Sequence, residues 1–477
     1  MIISKRPEAA FFSRMNTAGI YNPTRDTGLA FMPVVLSLIG QHAVDSGTLS
    51  RKEAREWLAN AAAWFEGIGD VVLDAQLGRD ADERPILLVT LHPICPAVEI
   101  RIGRSGKVRL TATTTPAGPG YHQYLCNLLN YFAKEFHLTW IADDCTDPTD
   151  YFSTHNRATT EAYFLKSLAA ECATKPRQIG LPSHLLYRYP ADVLTPIGPR
   201  SHDWARDVAA NPQLGKEFFA WWSPEVDASF YRNRALSRMW CHFPWRPPLC
   251  EAEGELTDQI ANDLTTAFKL DPSAELPWFE WLELLATIEA DAKGEQLCVT
   301  PTNPLLSVEL WKRTGPVPSL PPEHRIGYRR HLVRTCLDAG WSIEVPGDFA
   351  QEWDRERNWT AWNANRTVWF RRVGFTKPDG SQPTSLELLE LGLRSLPEGE
   401  HLPKLEVDDA HGTAVFGPTE EDGRTIWRLS GMAGATGHLV VCNIYCQSRD
   451  DRDWAIQTWQ SLRHCPPSAE PTSGSLK

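Results

Sequence analysis

The prolines set the first constraint on this chain. A locked φ and a missing N–H keep proline out of helix interiors and central strands. The run "TGPVPSLPPEH", residues 314–324, carries four of the 36 prolines, so no regular element is expected to cross it. Helical spacing dominates the text before this run and strand-like alternation the text after it, which makes the run a linker between two bodies. Proline and tryptophan also recur between Lys175 and Pro248, in "LPSHLLYRYPADVLTPIGPRSHDW", "FFAWWSPEVD" and "MWCHFPWRPP". That region is expected to fold as short helical pieces, 228–240 among them. A chain of 477 residues exceeds one ordinary core. The expectation is a multi-domain α+β protein: an N-terminal mixed α+β domain at 1–175, a helical Trp/Pro-rich middle at 176–313, the linker at 314–324, a C-terminal antiparallel sheet with packed helices at 325–466, and a tail at 467–477 disordered by composition.

Residues 24–66 read as two helices. The second has Ser50 as N-cap with Glu53 three residues on, a capping box, and places Leu58, Ala61, Ala62 and Phe65 on one face. Strands follow at "ILLVTLH" (86–92), "AVEIRIG" (97–103) and "KVRLTATT" (107–114), the last two joined by a hairpin in which Gly106 supplies positive φ. The turn "TPAGPGYH" then opens a helix with Tyr121, Leu125, Leu128, Phe132 and Phe136 at core spacing. A strand "HLTWIAD" and a helix over 154–173 complete the unit. Further on, "ELTDQIANDLTTAFKL" and "LPWFEWLELLATIEA" form a helix pair with no second copy at a fixed period.

Beyond the linker, "WSIEVPGDFAQEW", "AWNANRTVWF" and "HLVVCNIYC" feeding "DWAIQTWQSL" follow one another in an order that resembles the PsbP-like fold. In "LVVCNIYC" alternation puts Val440, Cys442, Ile444 and Cys446 on one face, with Ala455, Trp459 and Leu462 of the closing helix to cover it. PsbP-like domains are small binding or assembly modules, so the resemblance implies binding without catalysis. With "WRPPLCEAEGE", "LDPSAELPWFEWLELL" and "IGYRRHLVR", the wider stretch from Arg206 to Leu462 also resembles bacterial proteins of no assigned function, which implies a bacterial origin.

The net charge of −12 argues against general nucleic-acid binding, which needs a basic face. The most apolar stretch, "LAFMPVVLSLIG", is shorter than the roughly 20 residues of a membrane span and contains Pro33. The 11 cysteines are scattered without a CxxC pair, as in a reduced cytoplasmic protein. No cofactor motif occurs: GxxxxGK[ST], GxSxG and HExxH are all missing.

The best candidate for a ligand site is the turn into the helix, where Gly118 and Gly120 precede free backbone N–H groups and Tyr121 and His122 occupy the first turn. Asp143 and Asp144, at the end of the next strand, complete the candidate set, and the cluster extends to Asp147 and Asp150. A sharp hinge explains the glycines as well, and ordinary turn capping explains the aspartates. No metal loop is matched. Cys126, at i+4 from His122, shares its helix face. The expectation is therefore a bacterial, cytoplasmic, non-catalytic protein that binds a macromolecular partner, a protein, with neither nucleic acid nor membrane. Two rivals are a hydrolase or transferase with its site between Gly118–His122 and Asp143/Asp144, and a carbohydrate or small-ligand module using the Trp-rich middle.

Overall fold

The computed structural model describes residues 33–42, 48–69, 71–80, 84–291, 325–354, 356–394, 396–407, 409–421 and 423–465. The linker at 314–324, the tail at 467–477 and the start of the first expected helix lie outside them. The fold is α+β, with helices packed on antiparallel sheets. Two compact units divide the chain. Unit 1 takes the described residues within Leu29–Pro182 and Tyr189–Gly327, and unit 2 those within Ser183–Arg188 and Tyr328–Lys477.

Unit 1 begins with strands β1 (Val35–His42), β2 (Asp74–Arg79), β3 (Pro85–Thr90), β4 (Val98–Ile102), β5 (Lys107–Thr113) and β6 (Leu138–Trp140). They form one antiparallel sheet in the order β2-β3-β4-β5-β1-β6. Helix α1 (Arg51–Glu66) has the expected Ser50–Glu53 capping box, and α2 (Pro119–Glu135) carries the expected apolar stripe. The two helices meet through aromatic rings: Phe65 stacks on Phe132 at 5.2 Å, and Trp57 meets Phe136 edge-on at 5.3 Å. Such offset and edge-on pairs add to the burial of the rings.

One expectation fails here. Residues 35–42 are a strand, not part of a helix, and β1 pairs with β5 on one side and β6 on the other. A short apolar run fits either period, and the open edge of β5 decides it. A second difference is the break in the helix expected over 154–173. α3 (Tyr151–Thr154) ends at His155 with φ 53°, and α4 (Arg157–Ala173) starts afresh from Asn156, whose side chain accepts from Thr159 N.

The middle region supplies α5 (His202–Ala210), α6 (Ala228–Cys241), α7 (Glu251–Leu270) and α8 (Trp278–Asp291). A boundary at residue 175 does not separate two cores. One buried cluster joins Val34, Phe164, Leu165 and Leu168 to Ile179, Val208, Phe218 and Phe219. The apolar face of α4 needs a cover, and the short proline-bounded pieces provide it.

Unit 2 contains β7 (Leu185–Tyr187), β8 (Leu332–Cys336), β9 (Trp341–Pro346), β10 (Ala350–Trp353), β11 (Trp359–Trp362) and β12 (Arg366–Gly374). After α9 (Ser385–Leu393) come β13 (Glu400–His401), β14 (Leu405–Val407), β15 (Ala410–Glu421), β16 (Arg424–Ala435) and β17 (His438–Cys446), then α10 (Arg452–Gln460) and β18 (Arg463–His464). The larger sheet runs β10-β11-β12-β17-β16-β15-β13, with β14 also on β15; a smaller one runs β18-β9-β8-β7. Val440, Cys442, Ile444 and Cys446 face the core with Ala455, Trp459 and Leu462.

Strand β7 is the surprise, because it comes from the Pro-rich middle and pairs antiparallel with β8. The C-terminal unit is thus larger than 325–466. Tyr187 is 1% exposed and its ring lies 5.2 Å from that of Tyr328. Tyr187→Ala should destabilise unit 2 by about 3 kcal/mol, as truncating a buried aromatic does. Urea denaturation followed by tryptophan fluorescence reads this, and an unshifted midpoint would show that β7 is dispensable.

Candidate functional site

The turn from β5 into α2 is held by backbone pairing with the middle region. Gly120 N donates to Trp221 O at 3.0 Å, and Trp221 N donates to Ala117 O at 2.8 Å. Gly118 has φ 113°, and a Cβ there would meet the Phe219 side chain at 2.7 Å. A Cβ on Gly120 would lie 2.5 Å from the Ser223 carbonyl oxygen. Chain from residues 219–223 therefore occupies the ground in front of the helix N-terminus. Gly118 and Gly120 serve close packing, and no anion cradle is open there. Gly120→Ala should cost on the order of 3 kcal/mol through this clash. A melting temperature equal to that of the wild type would contradict the contact.

Tyr121 and His122 are consecutive on α2, about 100° apart around the helix, and so enter different surroundings. Both are 0% exposed. His122 does not meet Asp143 or Asp144. Those two lie in an exposed 3-10 turn over Ala142–Asp144, where Asp144 pairs with Lys107 at 2.8 Å. The chain then returns to β1, with Ser37 N donating to Thr146 O at 2.9 Å and Thr146 N to Ser37 O at 2.7 Å. This exchange delivers Asp147, rather than Asp144, to the histidine.

Around His122 the geometry is dense. Its Nδ1 lies 3.0 Å from Thr114 Oγ1. Its Nε2 lies 3.2 Å from each Asp147 oxygen, 3.0 Å from Thr149 Oγ1 and 3.6 Å from Cys126 Sγ. Asp147 accepts from Thr149 N, Thr149 Oγ1 and Phe152 N, each at 2.8 Å. Burial works to raise the Asp147 pKa, but the His122 bond and charge with the two backbone N–H groups outweigh it and hold it at about 2. Burial, together with the Asp147 charge, pushes the Cys126 thiol well above its ordinary range.

A cysteine–histidine–aspartate relay needs the nucleophile and the carboxylate on opposite ring nitrogens. Here Cys126 and Asp147 both address Nε2, so the group is not a proton relay. Among the described residues, His122, Cys126 and Asp147 are the group able to share a metal ion, their donor atoms all lying within 4.8 Å of one another.

Tyr121 points into a second buried cluster. Its ring is 6.5 Å from that of His92, which follows β3, and 5.7 Å from that of Trp221; His92 and Trp221 are 6.3 Å apart. On α6, Arg238 (1% exposed) and Arg234 share the carboxylate of Asp263 on α7. Burial, then the charges of Arg234 and Arg238, hold the His92 imidazole well below its ordinary pKa. Burial lowers Arg238 to about 10 against the pull of Asp263, leaving it charged at neutral pH. The Tyr121 hydroxyl, both His92 nitrogens, Trp221 Nε1 and Arg238 Nη2 have no hydrogen-bond partner among the described residues. Of this cluster, sequence reasoning singled out Tyr121 alone. His92 and Arg238 carry no local signal, since each reads as ordinary strand-end or helix text.

No family model matches the chain, and no curated protein matches it. A crystal structure of a protein from Bacteroides thetaiotaomicron VPI-5482, at 1.50 Å resolution, is similar over 27% of this chain at 10% identity with a TM-score of 0.23. The match spans 47% of that protein, less than half its length. A likeness so slight carries no argument about fold or function. Among the described residues, no helix is long and apolar enough to cross a membrane.

Proposed function

We propose that this chain is a non-catalytic binding protein and that unit 1 encloses a small organic oxyanion between His92, Tyr121, Trp221 and Arg238. The observation that carries this reading is the set of buried polar atoms left without partners at His92, Tyr121 and Trp221, whose rings lie within 6.5 Å of one another, and at Arg238, whose charge acts on His92. Burying such groups unpaired costs about 1–3 kcal/mol each, and native proteins leave few of them. Arginine, indole and phenol are chiefly donors, so the missing partner supplies acceptor oxygens, as a carboxylate or a phosphate does. The aromatic walls suit an apolar body behind that charged head. The ten described cysteines, all free, agree with a reducing cytoplasm.

The test is a thermal shift with benzoate, acetate and inorganic phosphate against chloride at equal ionic strength. A ligand at 100 times its Kd stabilises by about 2.7 kcal/mol, and Arg238→Met should abolish that gain. Equal melting in all four salts would sink the reading.

A second reading, docking of a protein partner by unit 2, draws on α9. Leu386, Leu391 and Leu393 there are 55%, 63% and 47% exposed, beside a shallow groove lined by Phe375, Pro383 and Leu388 with Lys377 and Arg394. Exposed apolar patches mark interaction surfaces, and the resemblance of this unit to PsbP-like binding modules points the same way. Cross-links from Lys377 to a second polypeptide should disappear in Leu391→Glu, whose own stability should change by less than about 0.5 kcal/mol. Their persistence in that variant would exclude this face.

A further inference from the structure

We propose that His122, Cys126 and Asp147 form a buried zinc site. The first observation is crowding at a single atom. His122 Nε2 has room for one hydrogen, yet Thr149 Oγ1, Cys126 Sγ and both Asp147 oxygens stand within 3.6 Å of it. One N–H cannot bond all four of these atoms, and the Thr149 hydroxyl hydrogen is already given to Asp147. A cation placed between them can.

The second observation is metric. Zinc bonds of about 2.0 Å to nitrogen and oxygen and about 2.3 Å to sulfur give tetrahedral edges of roughly 3.3 Å between N and O and 3.6 Å between N and S. The separations here are 3.2 Å from Nε2 to the carboxylate and 3.6 Å from Nε2 to the sulfur. Thr149 Oγ1 is close enough to occupy or border the fourth position.

The surroundings are those of a metal ligand set. His122 Nδ1 is held by Thr114 Oγ1 at 3.0 Å, which fixes the ring and leaves Nε2 toward the ion. Two backbone N–H groups, from Thr149 and Phe152, hold the Asp147 carboxylate. Both are outer-shell supports of the kind that orient ligands and tune affinity. Charge also balances: a thiolate and a carboxylate neutralise Zn²⁺, as a site with His122 and Cys126 at 0% exposure requires. Binding forms Zn–N, Zn–O and Zn–S bonds: the Cys126 thiol proton leaves to solvent, and the neutral His122 ring carries its one hydrogen on Nδ1 toward Thr114 Oγ1, leaving the Nε2 lone pair for the ion. No electron is transferred. The donor set of sulfur, imidazole and one carboxylate favours zinc over calcium or magnesium, which select oxygen.

Elemental analysis of the full chain purified without chelator should find about one zinc per chain, the stoichiometry of a single mononuclear site. Chelator treatment should lower the melting temperature, and added zinc should restore it. Cobalt substituted for zinc should give a thiolate-to-cobalt charge-transfer band that Cys126→Ser lacks. Thr114→Val, which removes the hydroxyl that holds His122 Nδ1 but no atom bound to the ion, should weaken zinc affinity about 10–100-fold. Wild-type protein that takes up no zinc and melts identically with and without chelator overturns the site. So does zinc uptake that is unchanged in both Cys126→Ser and Thr114→Val, since the ion would then lie elsewhere.

Discussion

Unit 1 depends on one close approach, that of the α2 N-terminus to residues 219–223. Gly120 can come this near to Ser223 because it has no Cβ, and the backbone exchange between Trp221 and Ala117/Gly120 locks the two segments together. The consequence reaches both buried clusters. With the helix start fixed, Tyr121 is committed to Trp221 and His92, and His122 to Asp147 and Cys126. The same contact joins the sheet-bearing segment to the proline-bounded pieces after residue 175. A shared core follows from that attachment, because α4 and the 218–219 segment then bury the same apolar surface.

The two clusters differ in how their polar groups are satisfied. Around His122 there are more partners than one ring nitrogen can use, and the aspartate is held at low pKa by directed bonds. Around Tyr121 and Arg238 there are fewer partners than groups. In a low-dielectric interior each imbalance is expensive unless something completes it. An excess of electron-pair donors is completed by a cation and a deficit of acceptors by an anion. That contrast is the physical basis for reading one side of α2 as a metal site and the other as a ligand site. It also argues against chemistry at the turn itself, where Gly118 and Gly120 face protein backbone and side chain.

In unit 2 Trp459, expected on the core face of the closing helix, is fully buried, and Trp341 and Trp359 are buried with it, whereas Trp427 and Trp454 only pack against the edge of that core. The unit nonetheless borrows a strand from distant text. "LLY" has too few residues to show alternation, and among the described strands it is β8 that gives it a ladder.

Much was legible in the sequence because it is decided locally. The Ser50–Glu53 capping box, the Gly106 hairpin, the stripe of α2 and the alternation of "HLVVCNIYC" each depend on neighbours within a few residues. The α+β class followed from such pieces. Local text also placed His122 and Cys126 on one helix face and flagged an aspartate cluster nearby. Tertiary structure alone decided which aspartate arrives, because the choice of Asp147 over Asp144 depends on the Ser37–Thr146 exchange with a strand about a hundred residues earlier. It alone turned residues 35–42 into a strand, by offering the edge of β5, and it alone assembled His92 with Arg238. Periodicity reports the face a residue presents, whereas the partner across that face is set by packing between segments that share no local pattern.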